Sequence, residues 1–506
     1  MARGQRVPEP TESAPARIAT NPLVLPAVLL VSLLWRLPSL FDPPWVNDEG
    51  TYFAVAQAMA HGYRLYDGVW ENKPPALYLL YSAVYHPFGA SLIAIRLLTA
   101  VAVLALVVTV WRLAVHFVGA QWAPVAAMLA GLLFGAPFLE GTTGNAEVFV
   151  ALFSALAVEQ AILKQRLWAA GLLMAVATLF KAVAVFDAVA LGLWLFSGLA
   201  HASAPKPARR RAERQSGRSL RRIAAYVACY FGLLLAACVL AQLAGILQGM
   251  LNDALLYDLG YVGQANGGSV PWLLLVKLAL LAVLVAAVWK RSFPALWLVF
   301  AAFGALFGGR IFGHYLLQPV VPLVLVLTMA ARNRLQPGRV LKALPVAFLA
   351  AGLLAGAVGW VDAASGHDSI LARRLQYYPN FFRLALRRQS YDAYVSEIDD
   401  HVLRNEAAAR ALERLPAGTL LVWGNTPWIY VLSGRLPATP YTSAIRSPEV
   451  PGETSSLRRA VMMAEPSAIV VIRPPAPPLE PGATPSLHRR YRLVKVIGEV
   501  EVYARR

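Results

Sequence analysis

Residues 91–118 read SLIAIRLLTAVAVLALVVTVWRLAVHFV. Arg96, Arg112 and His116 are the only ionisable side chains in the run. As a helix rising 1.5 Å per residue it is long enough to cross about 30 Å of hydrocarbon. A helix apolar on every side finds its solvent in lipid more readily than in a water-facing core. Other runs of spanning length lie at Leu23–Leu37 and at about 122–138, 147–163, 167–200, 223–247, 271–289, 293–309, 312–331 and 342–360. The 167–200 stretch is long enough for two spans, broken near Lys181. The sequence therefore predicts a mainly α, polytopic membrane protein with about eleven transmembrane helices.

Composition agrees. Of 506 residues, 58% are hydrophobic and 15% charged, where soluble domains carry about 25% charged residues. So much apolar surface exceeds what one soluble core can hide, because single cores stop growing at about 250–300 residues. The net charge of +18 sits between the apolar runs, so it reads as a topology signal, and no nucleic-acid partner is expected. Cys229 and Cys238 lie in one apolar run and read as small packing residues. No small-residue cleavage site follows Leu23–Leu37, which predicts an uncleaved anchor after a disordered cytoplasmic tail, residues 1–20.

With the N-terminus inside, the cytoplasmic loops are Lys164–Arg166, Lys206–Arg222, Trp289–Arg291 and Arg332–Lys342, and each is basic. The loops assigned outside are 42–90, 139–146, 248–270 and 310–313, and they hold most of the acidic residues of the membrane part. This asymmetry follows the positive-inside rule. The transmembrane part then runs from 21 to 360. Residues 361–506 carry alternating charge, helical periodicity at 397–414 and β-type runs at Leu420–Trp423, Ala468–Ile472 and Val494–Val502. They predict a small extracytoplasmic α/β domain. The expected location is the inner or plasma membrane.

The first external loop is the richest in chemistry. It holds Trp45-Val-Asn-Asp48-Glu49-Gly50, then Trp70-Glu71-Asn72-Lys73-Pro74-Pro75. The spacing predicts an amphipathic helix over 49–61 on the membrane surface and a second over about 75–86. Asp48 stands where an N-cap belongs and Glu49 suits a first turn, yet charge at a lipid interface tends to mark function. Lys73 could snorkel; placed before the Pro-Pro start of a helix, it could also help bind a phosphate. The stretch Gly260–Gly268 lacks a preceding strand and a Walker lysine and reads as an external loop.

These residues resemble the GT-C glycosyltransferases, in particular the bacterial branch related to protein O-mannosyltransferases and lipid A aminoarabinose transferases. The likeness rests on Asn-Asp48-Glu49-Gly, on Glu71-Asn-Lys73-Pro-Pro and on Arg96-Leu-Leu. Looser pieces are Gly144-Asn-Ala-Glu147, Thr178-Leu-Phe-Lys181, Gly313-His314-Tyr315 and, in the C-terminal part, Val422-Trp-Gly-Asn-Thr-Pro427 through Tyr430. The resemblance implies a GT-C membrane fold and a polyprenyl-phosphate-linked sugar as donor. It also implies an extracytoplasmic acceptor (glycolipid, glycan or protein) and inverting transfer. It implies a catalytic carboxylate at Asp48 or Glu49, donor-phosphate contacts at Lys73, Lys181, Arg310 and His314, and a second acidic residue at Glu147. No cofactor is specified; a divalent metal, if one binds, would rest on Asp48, Glu49 and Glu147. The rival readings are a lipid-linked sugar flippase and a non-catalytic assembly factor. Transporters tend to show internal repeats and binding groups near the midplane, whereas here the charged candidates gather at one face.

Overall fold

The computed structural model describes residues 21–201, 209–257, 272–288, 292–308, 312–332, 334–342, 376–443, 465–474 and 483–506. The tail 1–20, the Gly260–Gly268 loop, Arg310 and all of the run at 342–360 beyond Lys342 lie outside the described residues.

The apolar runs are helices. They are α1 (Val24–Arg36), α2 (Asn47–Ala60), α3 (Ala76–Phe88), α4 (Leu92–Phe117), α5 (Ala123–Phe134) and α6 (Ala146–Val158, extended by a π turn to Leu163). Then come α7 (Leu167–Phe180), α8 (Val185–His201), α9 (Arg209–Leu243), α10 (Trp272–Val288), α11 (Phe293–Leu306) and α12 (Val320–Ala331). Local chemistry sets their ends. Ser91 caps α4, its Oγ accepting from the Ala94 amide at 3.2 Å, and Pro124 occupies the first turn of α5, where a missing N–H costs nothing. The extended backbone of Lys181 separates α7 from α8, at the break expected from the sequence. Two spans differ from expectation. Helix α9 begins at Arg209, inside the basic stretch, because arginine is itself a good helix former. The run at 312–331 gives a short 3-10 turn, Gly313–Leu317, before α12.

Residues Leu92–Phe117, Ala146–Leu163 and Leu220–Leu243 are each long and apolar enough to cross a bilayer. Large apolar side chains such as Val101, Leu235, Leu243 and Val283 are exposed on these helices and on α10, as lipid-facing positions should be. The chain is a polytopic membrane protein. Helix α7 meets α9 at Gly171, where any Cβ would collide with the Tyr226 carbonyl. Inside the bundle, the carboxylate of Asp187 accepts from Trp297 Nε1 (2.8 Å), Gln318 Nε2 (2.9 Å) and Ser154 Oγ (3.2 Å). It thereby fastens α8 to α11, α6 and the residues before α12.

The C-terminal part comprises α13 (Tyr377–Ala385), α14 (Tyr391–Ile398), α15 (His401–Glu413), β1 (Leu420–Trp423), α16 (Trp428–Ser433), β2 (Ala468–Ile472), α17 (Ala483–Arg490), β3 (Tyr491–Ile497) and β4 (Val500–Arg505). The sheet order is β1-β2-β4-β3. Strands β1 and β2 are parallel, with Leu420 opposite Ala468, and β4 runs antiparallel to β2 and β3. The β-type run expected over Val494–Val502 is a hairpin, β3 and β4, turning at Gly498 with φ +56°. Strand alternation divides the core. Val422, Val470 and Val502 pack with Leu412 and Ile429 on one face, and Trp423, Val471 and Tyr503 with Leu487 on the other.

This unit is anchored to the membrane helices at the loop that precedes α2. Trp428 Nε1 donates to the Val46 carbonyl at 2.9 Å. Tyr377 and Tyr394 both donate to the carboxylate of Asp42, at 2.8 and 2.7 Å. Tyr378 stacks on Trp35 with centroids 4.2 Å apart. Helix α2 is consequently not a half-exposed surface helix, as its apolar spacing suggests. Residues from Glu49 to Ala58 are all buried, because α3 and α16 cover the faces that a monotopic helix would give to lipid and water.

Candidate active site

Adjacent carboxylates on α2 point to different surroundings. Glu49 is fully buried. Its Oε2 is 3.0 Å from Arg96 Nη2, and its Oε1 accepts from the Gly144 amide at 3.0 Å. Arg96, also buried, donates further to the carbonyls of Ser39 (2.8 Å) and Asp42 (2.7 Å). This is a tie between the loop, α2 and α4, and it occupies both oxygens of Glu49.

Asp48 retains 28% side-chain exposure. The helix starts at Asn47 with Val46 at the N-cap position, and no side chain caps it, so Asp48 does not serve as the cap. It accepts from Tyr52 Oη at 3.1 Å, one helical turn on. The ring of Tyr52 in turn lies under Lys73 Nζ, 5.0 Å from its centroid. One phenol thus stands between the carboxylate and the ammonium. The loop that carries Lys73 is held by Tyr66 Oη, which donates to the Lys73 carbonyl at 2.7 Å, and by Tyr78 Oη, which donates to Glu71 at 2.8 Å. Burial alone would lower the pKa of Lys73; Tyr52 and Asp48 outweigh it and hold the ammonium above its ordinary value.

Across the site, Glu147 in the first turn of α6 is ion-paired with Lys181 at the α7–α8 break. Lys181 Nζ also lies 3.8 Å over the ring of Tyr315. Next to it, His314 Nδ1 is 2.9 Å from Glu140, while Nε2 faces Asp48 at 3.9 Å. Burial would push the imidazole pKa down; Glu147, the hydrogen bond to Glu140 and Asp48 together hold it up. The structure thus brings together Asp48, Lys73, Glu147, Lys181 and His314 and turns Glu49 away, while Arg310 lies outside the described residues.

The three carboxylates named for a metal do not form a donor set. Glu49 is taken by Arg96 and Glu147 by Lys181, and a cation already neutralises each. Among the described residues only Asp399, Asp400 and His401 bring three such ligand atoms together. There Asp399 accepts from the backbone amide (2.9 Å) and Nδ1 (3.0 Å) of His401, a local turn at the start of α15.

Sequence reasoning missed Glu140 and Tyr52 as parts of this arrangement, and it named Arg96 only within a motif, without its pairing to Glu49. Glu140 sits at φ +53° after a short 3-10 turn, and its only sequence signal is a lone acid before Gly141 in an external-type loop. Tyr52 falls in the apolar spacing that predicts a helix over 49–61, yet it is four residues from Asp48 and therefore on the same face.

Residues 72–207 match the family described as dolichyl-phosphate-mannose-protein mannosyltransferase. The segment contains Lys73, Glu140, Glu147 and Lys181; Asp48 and His314 lie outside it. No curated protein matches the sequence. Among solved structures, the chain is similar to ArnT from Cupriavidus metallidurans bound to undecaprenyl phosphate. The two are 16% identical, covering 97% of this chain and 98% of that one, with a TM-score of 0.56. It is similar to the apo state of the same protein at 16% identity, 95% and 97% coverage and a TM-score of 0.56.

Proposed function

We propose that this chain, a polytopic membrane glycosyltransferase of the GT-C superfamily, moves a sugar from a polyprenyl-phosphate carrier to an acceptor hydroxyl on the extracytoplasmic side, with inversion. The observation that carries the reading is the Asp48–Tyr52–Lys73 arrangement. A partly exposed carboxylate and a shielded ammonium flank one phenol, so a proton acceptor and a cation suited to phosphate stand within one side chain of each other. The undecaprenyl phosphate named in the solved ArnT complex supports a carrier of that class.

In the proposed displacement, the acceptor oxygen attacks the anomeric carbon as its proton passes to Asp48. The bond from the anomeric carbon to the phosphate oxygen breaks, and the carrier leaves as a phosphate monoester with more negative charge than the diester had. Lys73 stabilises that growing charge, and Lys181 and His314 stand on the opposite side to do the same. Glu147 holds Lys181 in place before the donor arrives. Glu49 positions Asp48 by fixing the first turn of α2 to Arg96.

The test is transfer by the purified chain from polyprenyl-phosphate-linked sugars, with the Asp48→Asn variant beside it. Asn keeps an oxygen for the Tyr52 hydrogen bond and loses only the charge. Loss of transfer with an intact fold supports the assignment; parental turnover in that variant defeats it.

A further inference from the structure

We propose that the cleft between the β1–β2 strand ends and the Pro44–Asn47 loop is a saccharide-binding pocket. It would hold a sugar ring of the acceptor one residue along the chain from Asp48. The proposal rests on the glycosyl-transfer reading above and gives its acceptor a chemical class.

The pocket encloses about 270 Å³. That is just below the roughly 300–1,000 Å³ of small-molecule sites, a size for one ring and not for an extended chain. Its position follows a rule of parallel strands. Gly424–Thr426 leave the carboxyl end of β1 and Ile472–Pro474 span the carboxyl end of β2, and ligands of open α/β sheets bind in the crevice there. Gly424 is required beside the end of β2, since any Cβ would collide with the Ile472 side chain. The opposite wall is Trp45, in the loop that leads into α2, and Asn47, the first residue of that helix and the neighbour of Asp48 in the chain.

Its chemistry suits a neutral ring dense in hydroxyls. Asn405 lines it, is only 4% exposed, and its Oδ1 has no hydrogen-bond partner among the described residues. A buried acceptor left so destabilises the fold, and a ligand hydroxyl would relieve it. Arg404 Nη1 donates to Glu499 at 2.9 Å, and Asp399, beside His401, lines the cleft as well, so an anionic ligand gains no net attraction. Asn425 is oriented by Ser443, whose Oγ donates to its Oδ1 at 3.0 Å. Trp45 also lines the cleft, an aromatic side chain of the kind that packs on the apolar side of a sugar ring. A peptide is less suited, because the β1 edge it would extend is already covered. Leu420 donates to the Leu436 carbonyl at 2.9 Å, and Ala438 donates to that of Leu420 at 2.8 Å.

The test exposes the full chain in detergent to an array of mono- to tetrasaccharides of hexoses, hexosamines and pentoses, with Ser/Thr peptides beside them. Binding to saccharide spots is expected, weakened about tenfold or more in Asn405→Leu and in Asn47→Ala, and kept in Lys73→Ala. Asn47 is exposed, so its variant decides the matter if Asn405→Leu does not fold. Silence on every saccharide, binding to peptides alone, unchanged binding in Asn47→Ala, or loss of saccharide binding in Lys73→Ala each overturns the proposal. Donor turnover to water with a silent array sinks the pocket alone. Saccharide binding without any donor turnover upholds the pocket and sinks the transfer reading instead.

Discussion

Exchanging Glu49 for Gln should cost the protein its stability before its chemistry. The side chain is wholly buried, and its partner Arg96 is 1% exposed at 3.0 Å. Gln fits the same volume but turns a neutral amide to a guanidinium that keeps its charge. Removing one partner of a buried pair costs about 3–5 kcal/mol. Arg96 retains the carbonyls of Ser39 and Asp42, which argues for the lower end, about 3 kcal/mol, or roughly a hundredfold in the unfolding equilibrium. The assay is reversible denaturation in detergent, followed by turnover expressed per folded molecule. A clear fall in the midpoint is expected, with turnover per folded molecule changed far less than in Asp48→Asn. That neighbour should behave in the opposite way, with a parental midpoint and turnover down about 10²–10⁴-fold, as for loss of a general base. Replacing both members, Glu49→Leu with Arg96→Met, removes both buried charges and should recover part of the lost stability. A parental midpoint with lost turnover in Glu49→Gln would refute the reasoning and make Glu49 the acting carboxylate.

Lys73→Ala should lower turnover by about 10²-fold as well as weaken donor binding, whereas Lys73→Arg keeps the charge and should retain partial activity; kinetics against donor concentration separate this from a snorkelling residue, which all substitutions would leave near parental. His314 has a raised pKa, so the stabilisation it gives is complete below the ordinary imidazole value and disappears as pH climbs through the raised one. Donor KM should rise over that same window, and His314→Gln should flatten the profile; a parental profile in the variant removes His314 from the site. Gly50→Ala places a Cβ 2.9 Å from the Trp428 ring and should cost about 1–3 kcal/mol of stability through overpacking, while an unchanged melting temperature would mean the C-terminal unit can shift off α2. On a background with Cys229 and Cys238 replaced by Ser, a cysteine at exposed Arg489 should react with a membrane-impermeant thiol reagent in intact cells and one at exposed Gln165 should not; the reverse pattern would invert the proposed topology.

Much of the fold could be read from the chain because its signals are local. A run such as Leu92–Phe117 is apolar but for Arg96, Arg112 and His116, and the extended residue at Lys181 interrupts an otherwise continuous run where a charge enters it. The α2 environment was not legible, since its cover comes from α16, more than 350 residues away in sequence and signalled by nothing near Asn47. The same distance hid the role of the Trp423–Tyr430 motif. There, Gly424 leaves room for the Ile472 side chain, Tyr430 Oη accepts from the Val422 amide at 2.9 Å, and Trp428 reaches back to Val46. In the site, charged residues at Asp48, Lys73, Glu147 and Lys181 could be picked out individually. Their pairing could not, because an ion pair such as Glu147–Lys181 depends on how α6 packs on α7.

The division of labour between the two neighbouring acids follows from this packing. A helix turn rotates successive residues by about 100°, so adjacent carboxylates cannot share one environment. Whichever faces α4 meets Arg96 and the Gly144 amide and becomes structural. The other remains beside Tyr52 and in reach of His314, with part of its surface open. The buried member fixes the rotation of α2, and Asp42, held by Tyr377 and Tyr394, fixes the loop that enters it. The exposed carboxylate is therefore aimed from both the membrane bundle and the C-terminal unit. A shift of that unit against the membrane helices would move Asp48 relative to Lys73, which is carried by a different segment and held by Tyr66. On this account, contacts far from any reacting atom, such as Tyr394 with Asp42, set turnover by positioning the base, and their loss should lower kcat more than it raises donor KM.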